Sequence, residues 1–408
     1  MVFKCQEDSF LKEFTSKVVV CAKVKSTDNK SETPDCYEVI LEDTILFPEG
    51  GGQPCDYGFL NNIPVRQVIR REDKAIHFID KPLDIGATVK QTINWDRRFD
   101  HMQQHSGQHL LSAVLEKDLK ITTVSWWLGE EVSYVELDIQ QLSGNDIKRT
   151  EDVCNEYIRE GRNVAVSIYS KDTPEEELAK VRSARDLPAD HKGDIRVINI
   201  DGIDSNMCCG THVTNLSQLQ VVKLLHTEKS KRKDKILLHF LVGKRVINRL
   251  ETCIDRERKL TALLNNHSSQ HVELVEKLQK NVKTLNKNLQ TVLKDLAALE
   301  ASKLKSLQEQ PRYFCMHRKE AEPDFMNSFI KEMGNTEIFL FLSTGDEKGV
   351  GNIVLYGNEK AVSELGKIIC NLLDGKGAGK GNKFQAKVNK MVNRKEAEKS
   401  VSDYFKEN

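Results

Sequence analysis

Residues 244–310 contain neither glycine nor proline, and they are rich in leucine, lysine, glutamate, glutamine and asparagine. Apolar residues recur there at alternating spacings of three and four, the heptad pattern of a coiled-coil helix. They are Val275, Leu278, Val282, Leu285, Leu289, Val292, Leu296 and Leu299. Low helix propensity at 265–269 predicts either one helix of about 100 Å or two helices interrupted there. The seam needs a partner, which is either a second copy of the chain or the chain's own final domain.

The N-terminal region reads as short strands separated by turns, because runs of β-branched residues alternate with glycine, proline, asparagine and aspartate. The predicted strands are 17–23, 36–41, 65–69, 75–79 and 87–93. We therefore predict a small antiparallel barrel or curled sheet as a first domain over residues 1–93.

In the remaining chain, strand patterns and helix patterns alternate irregularly, and we predict an α+β fold class overall. A second α+β domain is expected over 94–242, with helices at 98–117, 144–160 and 173–181 and strands at 121–137, 163–170, 195–200 and 218–225. The long helical region covers 243–310. A small α/β domain is expected over 311–408, with strands at 313–317, 338–342 and 353–355 and helices at 324–333 and 361–373.

Charge and cysteine content bear on the class of protein. The chain carries 61 basic and 61 acidic residues, so a nucleic-acid-binding surface must be local rather than global. It shows no secretory signal and no apolar run of membrane-spanning length, and we expect no membrane partner. Ten cysteines without a compact spacing framework indicate reduced thiols. We expect a cytoplasmic protein.

Two short stretches each contain half of a potential metal site. His105 and His109 stand four apart in a predicted helix, and Cys208 and His212 are four apart in a predicted turn. Imidazole nitrogens and a thiolate sulfur are donors of the chemical hardness that zinc prefers, and four donors match its usual coordination number. Either pair alone is a loose motif, but together they predict one zinc ion per chain. His101, one turn earlier, is expected to pack beside the ligands rather than bind the ion.

Two glycine-rich stretches add to this. Gly50, Gly51 and Gly52 follow one another, which indicates either a structural turn or a close approach by a ligand in a pocket that Thr44 lines. Residues 374–386 are glycine-rich and basic without being a Walker loop. They are either a flexible solvated loop or a cradle for a phosphate backbone. The basic residues in question are Lys376, Lys380, Lys383 and Lys387.

In this order and spacing the motifs resemble the editing domain of alanyl-tRNA synthetase and its freestanding AlaX relatives. The motifs are DTxxFPxGGGQPxDxG at 43–58, HxxxH at 105–109 and CxGTH at 208–212. The heptad helix and the terminal basic stretch resemble the C-terminal region of those proteins. The resemblance extends over nearly the whole chain and leaves no room for an aminoacylation domain. It therefore implies an editing protein without a synthetase.

The resemblance implies hydrolysis of the ester in tRNA(Ala) mischarged with serine, with glycine as a further substrate and Ala-tRNA(Ala) spared. It implies zinc ligands at His105, His109, Cys208 and His212, with Cys209 as the alternative thiol. Thr44 matches a residue that meets the serine hydroxyl. The other pocket residues expected are Gly50, Gly51, Gly52, Gln53 and Gln108. The four lysines are expected to bind tRNA. ATP binding is implied by the resemblance alone.

The role of the metal stays open at this point. Zinc with an open position would activate a zinc-associated water, the predicted catalytic group, with no protein base identified. Four firm protein ligands would close that position and make the ion structural. Two other functions are also open. One is editing of another mischarged tRNA such as Ser-tRNA(Thr), and the other is a non-enzymatic zinc and coiled-coil adaptor that binds RNA.

Overall fold

A computed structural model describes residues 2–24, 36–170, 173, 181, 194–320 and 323–407. The chain divides into two compact units, Met1–Arg258 and Lys259–Asn408. Both mix helices with sheets, in agreement with the predicted α+β class. The finer division into four domains stays a prediction. Among the helices of the described ranges, none combines the length and apolar character needed to cross a membrane.

The first unit begins with a short helix, α1 (Lys4–Glu7), and a closed six-stranded antiparallel barrel in the order β1-β2-β5-β4-β3-β6. The strands are β1 (Glu13–Val24), β2 (Cys36–Leu41), β3 (Gly58–Leu60), β4 (Ile63–Arg71), β5 (Lys74–Ile79) and β6 (Thr88–Ile93). The predicted barrel and its five strands are confirmed. The sixth strand, β3, was not predicted. It closes the barrel because Gly58 has no side chain, and a Cβ there would overlap the carbonyl oxygen of Thr92.

Helix α2 (Trp95–Leu119) leads from the barrel into the rest of the first unit and confirms the predicted helix at 98–117. The Asn94 side chain accepts a hydrogen bond from the Arg97 amide and caps its start, while Lys120 ends it in a left-handed conformation. All residues from 101 to 115 are buried, so this part of the helix lies inside the fold rather than on its surface. Its apolar side chains, such as Leu110 and Leu111, form the main core of the first unit together with residues of further elements.

Those further elements are one helix and two sheets. The helix is α3 (Gly144–Glu160), as predicted. A four-stranded sheet has the order β12-β13-β8-β7, and a three-stranded sheet has the order β11-β10-β9. Their strands are β7 (Thr123–Leu128), β8 (Ser133–Leu137), β9 (Val164–Tyr169), β10 (Ile195–Ile200), β11 (Asp204–Met207), β12 (Val222–Lys229) and β13 (Ile236–Val242).

Two predictions in this region need comment. The strand expected at 218–225 begins only at Val222, because Asn215 caps a 3-10 turn over Leu216–Leu219 and removes those residues from the strand. The acidic helix expected at 173–181 falls on residues of which only 173 and 181 are described, so it stays a prediction.

The glycine-free region contains two helices, α4 (Lys244–Leu264) and α5 (His271–Lys305). They are separated at the segment of low helix propensity, 265–269. Asn265 there has a left-handed backbone conformation with a φ of 48°. The alternative of one helix of about 100 Å is therefore wrong. Helix α5 has 35 residues, which corresponds to about 52 Å. Its C-terminal residues Ala297, Ala301 and Leu304 are buried in the core of the second unit.

A five-stranded sheet in the order β14-β15-β16-β18-β17 forms the rest of the second unit. Its strands are β14 (Tyr313–Arg318), β15 (Phe339–Gly345), β16 (Gly351–Tyr356), β17 (Gly375–Lys380) and β18 (Lys383–Val388). Its helices are α6 (Pro323–Met333), α7 (Glu359–Leu372) and α8 (Arg394–Glu407), of which α8 was not predicted.

The glycine-rich basic stretch is a β-hairpin of β17 and β18, so its interpretation as a flexible loop is wrong. The glycines serve packing: a Cβ on Gly377 would overlap Ala386, and one on Gly379 would lie 2.8 Å from the Phe384 ring. The hairpin pairs with β16 through β18 and belongs to the sheet.

Candidate metal centre

The two predicted half-sites meet in the first unit. His105 and His109 lie one turn apart on α2, and Cys208 and His212 lie in the segment that follows β11. The Cys208 Sγ atom is 3.4 Å from His105 Nε2 and 3.2 Å from His212 Nε2. One ligand atom from each of the four residues lies within 4.8 Å of the other three, and all four atoms are buried.

Small residues let the backbone come close enough to assemble the cluster. A Cβ on Gly107 would lie 2.5 Å from the Val242 side chain, so the helix packs directly on β13. A Cβ on Gly210 would overlap the His105 ring. The CxGTH spacing thus places a glycine where the loop backbone passes over an imidazole.

Hydrogen bonds orient two of the imidazoles. The Gln53 side-chain oxygen accepts from the Thr211 amide at 3.0 Å and lies 2.9 Å from His105 Nδ1. Because that oxygen is an acceptor, His105 Nδ1 carries the proton and Nε2 keeps its lone pair toward Cys208. His212 Nδ1 lies 3.0 Å from the Ser106 hydroxyl, which likewise leaves Nε2 for the cluster.

Burial dominates the electrostatics of the cluster. It lowers the pKa of His105 to about 3, and the positive charge of Arg196 acts in the same direction. Burial also lowers the pKa of His212 well below its ordinary value. It raises the pKa of the Cys208 thiol to about 12, against the opposing effect of Arg196. His105 and His212 are therefore neutral, and a bound cation would compensate a Cys208 thiolate.

The donor set fits zinc in chemistry and in spacing. Zinc to sulfur distances of about 2.3 Å and zinc to nitrogen distances of about 2.0 Å place tetrahedral donors roughly 3.3 to 3.6 Å apart. The two sulfur to nitrogen distances given above agree with these values within a few tenths of an ångström. Cys209 is exposed, and Cys208 alone contributes a thiol to this group. His101 is buried one turn before His105 and is not part of the group.

The triple-glycine loop lies beside this cluster. Gly50 and Gln53 pair through their backbones, which turns the loop back on itself. The Trp126 indole donates a hydrogen bond to the Gly51 carbonyl at 3.1 Å. A Cβ on Gly52, whose φ is +82°, would lie 2.6 Å from the same indole nitrogen. Gly52 therefore allows the close approach of the loop to Trp126, and Gln53 connects the loop to His105.

A small cavity opens next to His109. It is lined by Gln108, His109, Ser112, Thr123, Trp126, Asn206 and Met207. The Gln108 amide nitrogen donates to the Ser112 hydroxyl at 2.9 Å. Its side-chain oxygen is buried and has no hydrogen-bond partner among the described residues. An unsatisfied buried acceptor is costly unless a ligand completes it.

Thr44 is buried in the segment that connects β2 to β3, and its place in the substrate pocket stays a prediction. Its hydroxyl is 2.9 Å from both His77 Nε2 and the Gln91 side-chain oxygen, and it accepts from the Leu46 amide at 3.0 Å. It lines a different cavity, together with Phe3, Ala75 and His77. Burial lowers the pKa of His77 to about 4, so this network is neutral. The hydroxyl of Thr44 already has its hydrogen-bond partners within the protein.

Comparison with known proteins agrees with the geometry. Residues 195–236 match the family model described as the threonyl and alanyl tRNA synthetase second additional domain. The chain is 46% identical to alanyl-tRNA editing protein Aarsd1 of Mus musculus, over 99% of this chain and 98% of that protein. It is 46% identical to Aarsd1-B of Xenopus laevis, over 98% and 96%. It is 27% identical to AlaX-L of Pyrococcus horikoshii, over 94% and 93%.

The chain belongs to the alanyl-tRNA editing protein family. The family resemblance inferred from the three motifs is thereby confirmed. The matched segment at 195–236 includes Cys208 and His212, whereas His105 and His109 precede it.

Four residues in and around this site were not anticipated. Arg196 is buried and donates to the carbonyl oxygens of Gln6 and Cys208. A lone arginine within the apolar strand β10 was the available signal. Trp126 contacts the glycine loop from 75 residues away, without a local signal. Arg98 and Asp56 form an ion pair in which both side chains are fully buried.

The four predicted tRNA-binding lysines lie in the second unit. Lys376 on β17 stands opposite Lys387 on β18, and Lys380 stands opposite Lys383. Like charges directly opposite each other repel, so an anion at the hairpin would relieve the repulsion. Lys383 donates to the Asn327 side chain at 2.8 Å, and Lys376 and Lys387 line a surface cavity.

Proposed function

We propose that the chain is a zinc-containing hydrolase that deacylates Ser-tRNA(Ala), with Gly-tRNA(Ala) as a further substrate, and spares Ala-tRNA(Ala). The observation that carries this is the buried cluster of three histidines and one cysteine beside a small cavity lined by Gln108 and His109, in a member of the alanyl-tRNA editing family. The relatives' names specify alanyl-tRNA editing, and the substrate assignment for this chain is ours.

His105, His109, Cys208 and His212 would hold the ion. Bound zinc supplies a Lewis acid that stabilises negative charge on an ester carbonyl or on water. Gln53 holds the His105 ring so that Nε2 faces the cluster, and Ser106 does the same for His212. Four protein donors complete a tetrahedral coordination shell, which favours a partly structural role for the ion.

Selectivity for serine is assigned to the cavity beside His109. The unsatisfied Gln108 oxygen is an acceptor that a seryl hydroxyl would complete. Alanine cannot donate there and would leave the acceptor buried and unpaired, which disfavours the correct product. Gln108 is a better candidate than Thr44 because the Thr44 hydroxyl is occupied by His77, Gln91 and Leu46.

A deacylation panel tests the function. We expect the chain to hydrolyse Ser-tRNA(Ala) fastest, Gly-tRNA(Ala) more slowly and Ala-tRNA(Ala) least, with activity lost after prolonged chelation. Gln108→Leu should reduce the preference for seryl over alanyl substrate more than Thr44→Val does, while Thr44→Ser behaves as wild type. A preference for Ser-tRNA(Thr) would favour the alternative editing function. Zinc binding without any hydrolysis would favour the non-enzymatic adaptor.

The hairpin lysines are proposed to contact the tRNA backbone. Deleting the chain after Leu373 would remove two strands of the sheet, so substitution is the better test. Lys376→Glu with Lys387→Glu should weaken tRNA affinity and lower the slope of log affinity against log salt by about two, since each phosphate contact contributes roughly 0.9. Lys399→Glu with Lys406→Glu on α8 is the control. An unchanged slope in the hairpin variant would remove these lysines from the interface.

The heptad seam is proposed to pair with a second copy of the chain. Seven of its eight residues, from Val275 to Leu299, are exposed large apolar side chains. Such a row on one helix is typical of a coiled-coil interface. Leu285→Glu should shift the sedimentation coefficient from dimer to monomer, and a wild type that sediments as a monomer would contradict the pairing.

A further inference from the structure

A row of four rings crosses the four-stranded sheet of the first unit. The Trp127 ring on β7 lies 5.8 Å from the Tyr134 ring on β8, and Tyr134 lies 5.7 Å from His239 on β13. His239 stacks at 4.8 Å on His226 of β12, with an interplanar angle of 16°. The four rings follow the order of the strands in the sheet, and we call them the ring row.

The ring row is exposed at both ends and held in place. Trp127 is 54% exposed, although a tryptophan at the end of an edge strand would ordinarily gain from burial. Its ring lies against the backbone of Gly129, where a Cβ would come within 2.5 Å of it. Glu228 contacts both imidazoles, at 3.1 Å from His226 and 3.4 Å from His239. The ring planes are therefore preorganised by contacts with one another, with Glu228 and with the Gly129 backbone.

A basic loop adjoins the ring row. Residues 230–235 connect β12 to β13, and together with the end of β12 they include Lys229, Lys231, Arg232, Lys233 and Lys235. Arg232 pairs with Glu136 and Lys235 with Asp138. Lys229, Lys231 and Lys233 are exposed and have no ion pair among the described residues. Exposed rings beside free cations match a polymer of flat bases and phosphates.

The edge strand β7 joins this surface to the candidate metal centre. Trp126 and Trp127 are consecutive, so their side chains point to opposite faces of the sheet. Trp126 lines the cavity beside His109 and contacts the glycine loop, while Trp127 begins the ring row. A single strand that passes over the β7 edge would lead from the ring row to the cavity.

We propose that the ring row and the basic loop bind the single-stranded 3′ end of a tRNA, with bases stacked on Trp127 and His226 and phosphates near Lys231 and Lys233. This proposal rests on the proposed function, because it assigns the surface that delivers the ester-bearing end to the cavity.

The test uses a fluorescent, non-acylated RNA hairpin that ends in a single-stranded CCA tail, and the same hairpin with a blunt end. Wild type should bind the tailed hairpin more tightly. Trp127→Ala should weaken tailed binding by about tenfold, the effect of losing one stacked base, and leave blunt binding unchanged. Trp127→Phe should retain most of the affinity. Phe59→Ala, at a comparably exposed aromatic residue of the barrel, is the matched control and should change neither.

Lys231→Ala with Lys233→Ala should lower the salt slope for the tailed hairpin by about 1.4, as expected for two single-strand phosphate contacts. Unchanged thermal midpoints would show that the variants are folded. An equal preference for the tail in wild type and Trp127→Ala, or no preference in wild type, would overturn the proposal. Because the RNA carries no ester, tail binding by Trp127 in a protein that hydrolyses no Ser-tRNA(Ala) would overturn the proposed function alone.

Discussion

Cys208→Ala is expected to abolish stoichiometric zinc binding and to lower deacylation of Ser-tRNA(Ala) by at least about a hundredfold, since even residues that only support a metal ligand contribute 10- to 100-fold. The Cys208 thiol lies within 3.4 Å of two imidazole nitrogens and is the anionic donor of the set. Without it, three neutral imidazoles would have to hold a divalent ion in a buried site with no compensating charge.

Cys209→Ala is the matched control, because it removes a thiol from the adjacent, exposed position. It should leave zinc content, measured by plasma emission spectrometry, and the deacylation rate as in wild type. Loss of zinc in the Cys209 variant and retention in the Cys208 variant would reverse the ligand assignment. Full activity of a zinc-free Cys208 variant would exclude a catalytic ion, and a lowered thermal midpoint in that variant would identify a structural one.

Arg98→Met is expected to lower the free energy of unfolding of the first unit by about 3–5 kcal/mol, because it leaves the Asp56 carboxylate buried without its counter-charge. Both side chains are 0% exposed. The Arg98 Nε atom donates to Asp56 at 2.9 Å, and its other nitrogens donate to the carbonyl oxygens of Ser9 and Ile45. The guanidinium thus connects the barrel, the N-terminal segment and the first turn of α2.

Urea denaturation, monitored by circular dichroism, measures this change in the free energy of unfolding. Asp56→Asn should also be strongly destabilising, and the double variant should lose less than the sum of the two, since the partners are in direct contact. Arg66→Met removes an arginine from the exposed pair with Asp80 and should cost no more than about 1 kcal/mol. An effect of Arg98→Met as small as that of Arg66→Met would show that water reaches the buried pair.

Local patterns account for the elements that were predicted correctly. The barrel strands followed from β-branched runs between turn residues, and α2 from apolar residues at helical spacing. The break between α4 and α5 followed from a cluster of poor helix formers. The two ligand pairs were readable for the same reason, since residues four apart share a helix face or a tight loop whatever the rest of the fold does.

Long-range contacts account for what was missed. The interpretation of residues 374–386 as a loop was wrong because the glycines there allow strands to pack, and only their partners on β16 and α7 reveal that. The partners of the Thr44 hydroxyl, His77 and Gln91, were also missed because they stand 33 and 47 residues further along the chain, while the place of Thr44 in the substrate pocket stays a prediction. A short stretch of sequence around Thr44 does not include those partners.

The sequence by itself determined the donor chemistry of this protein and the spacing of each half-site, because both are properties of a few neighbouring residues. Only the tertiary structure decided that the halves meet, that Cys208 rather than Cys209 faces the imidazoles, and that Gln53 orients His105. The physical reason is that a buried site is assembled by close packing between distant segments. Gly107 against Val242 and Gly210 against His105 set those distances, and their effect appears only once the chain is folded.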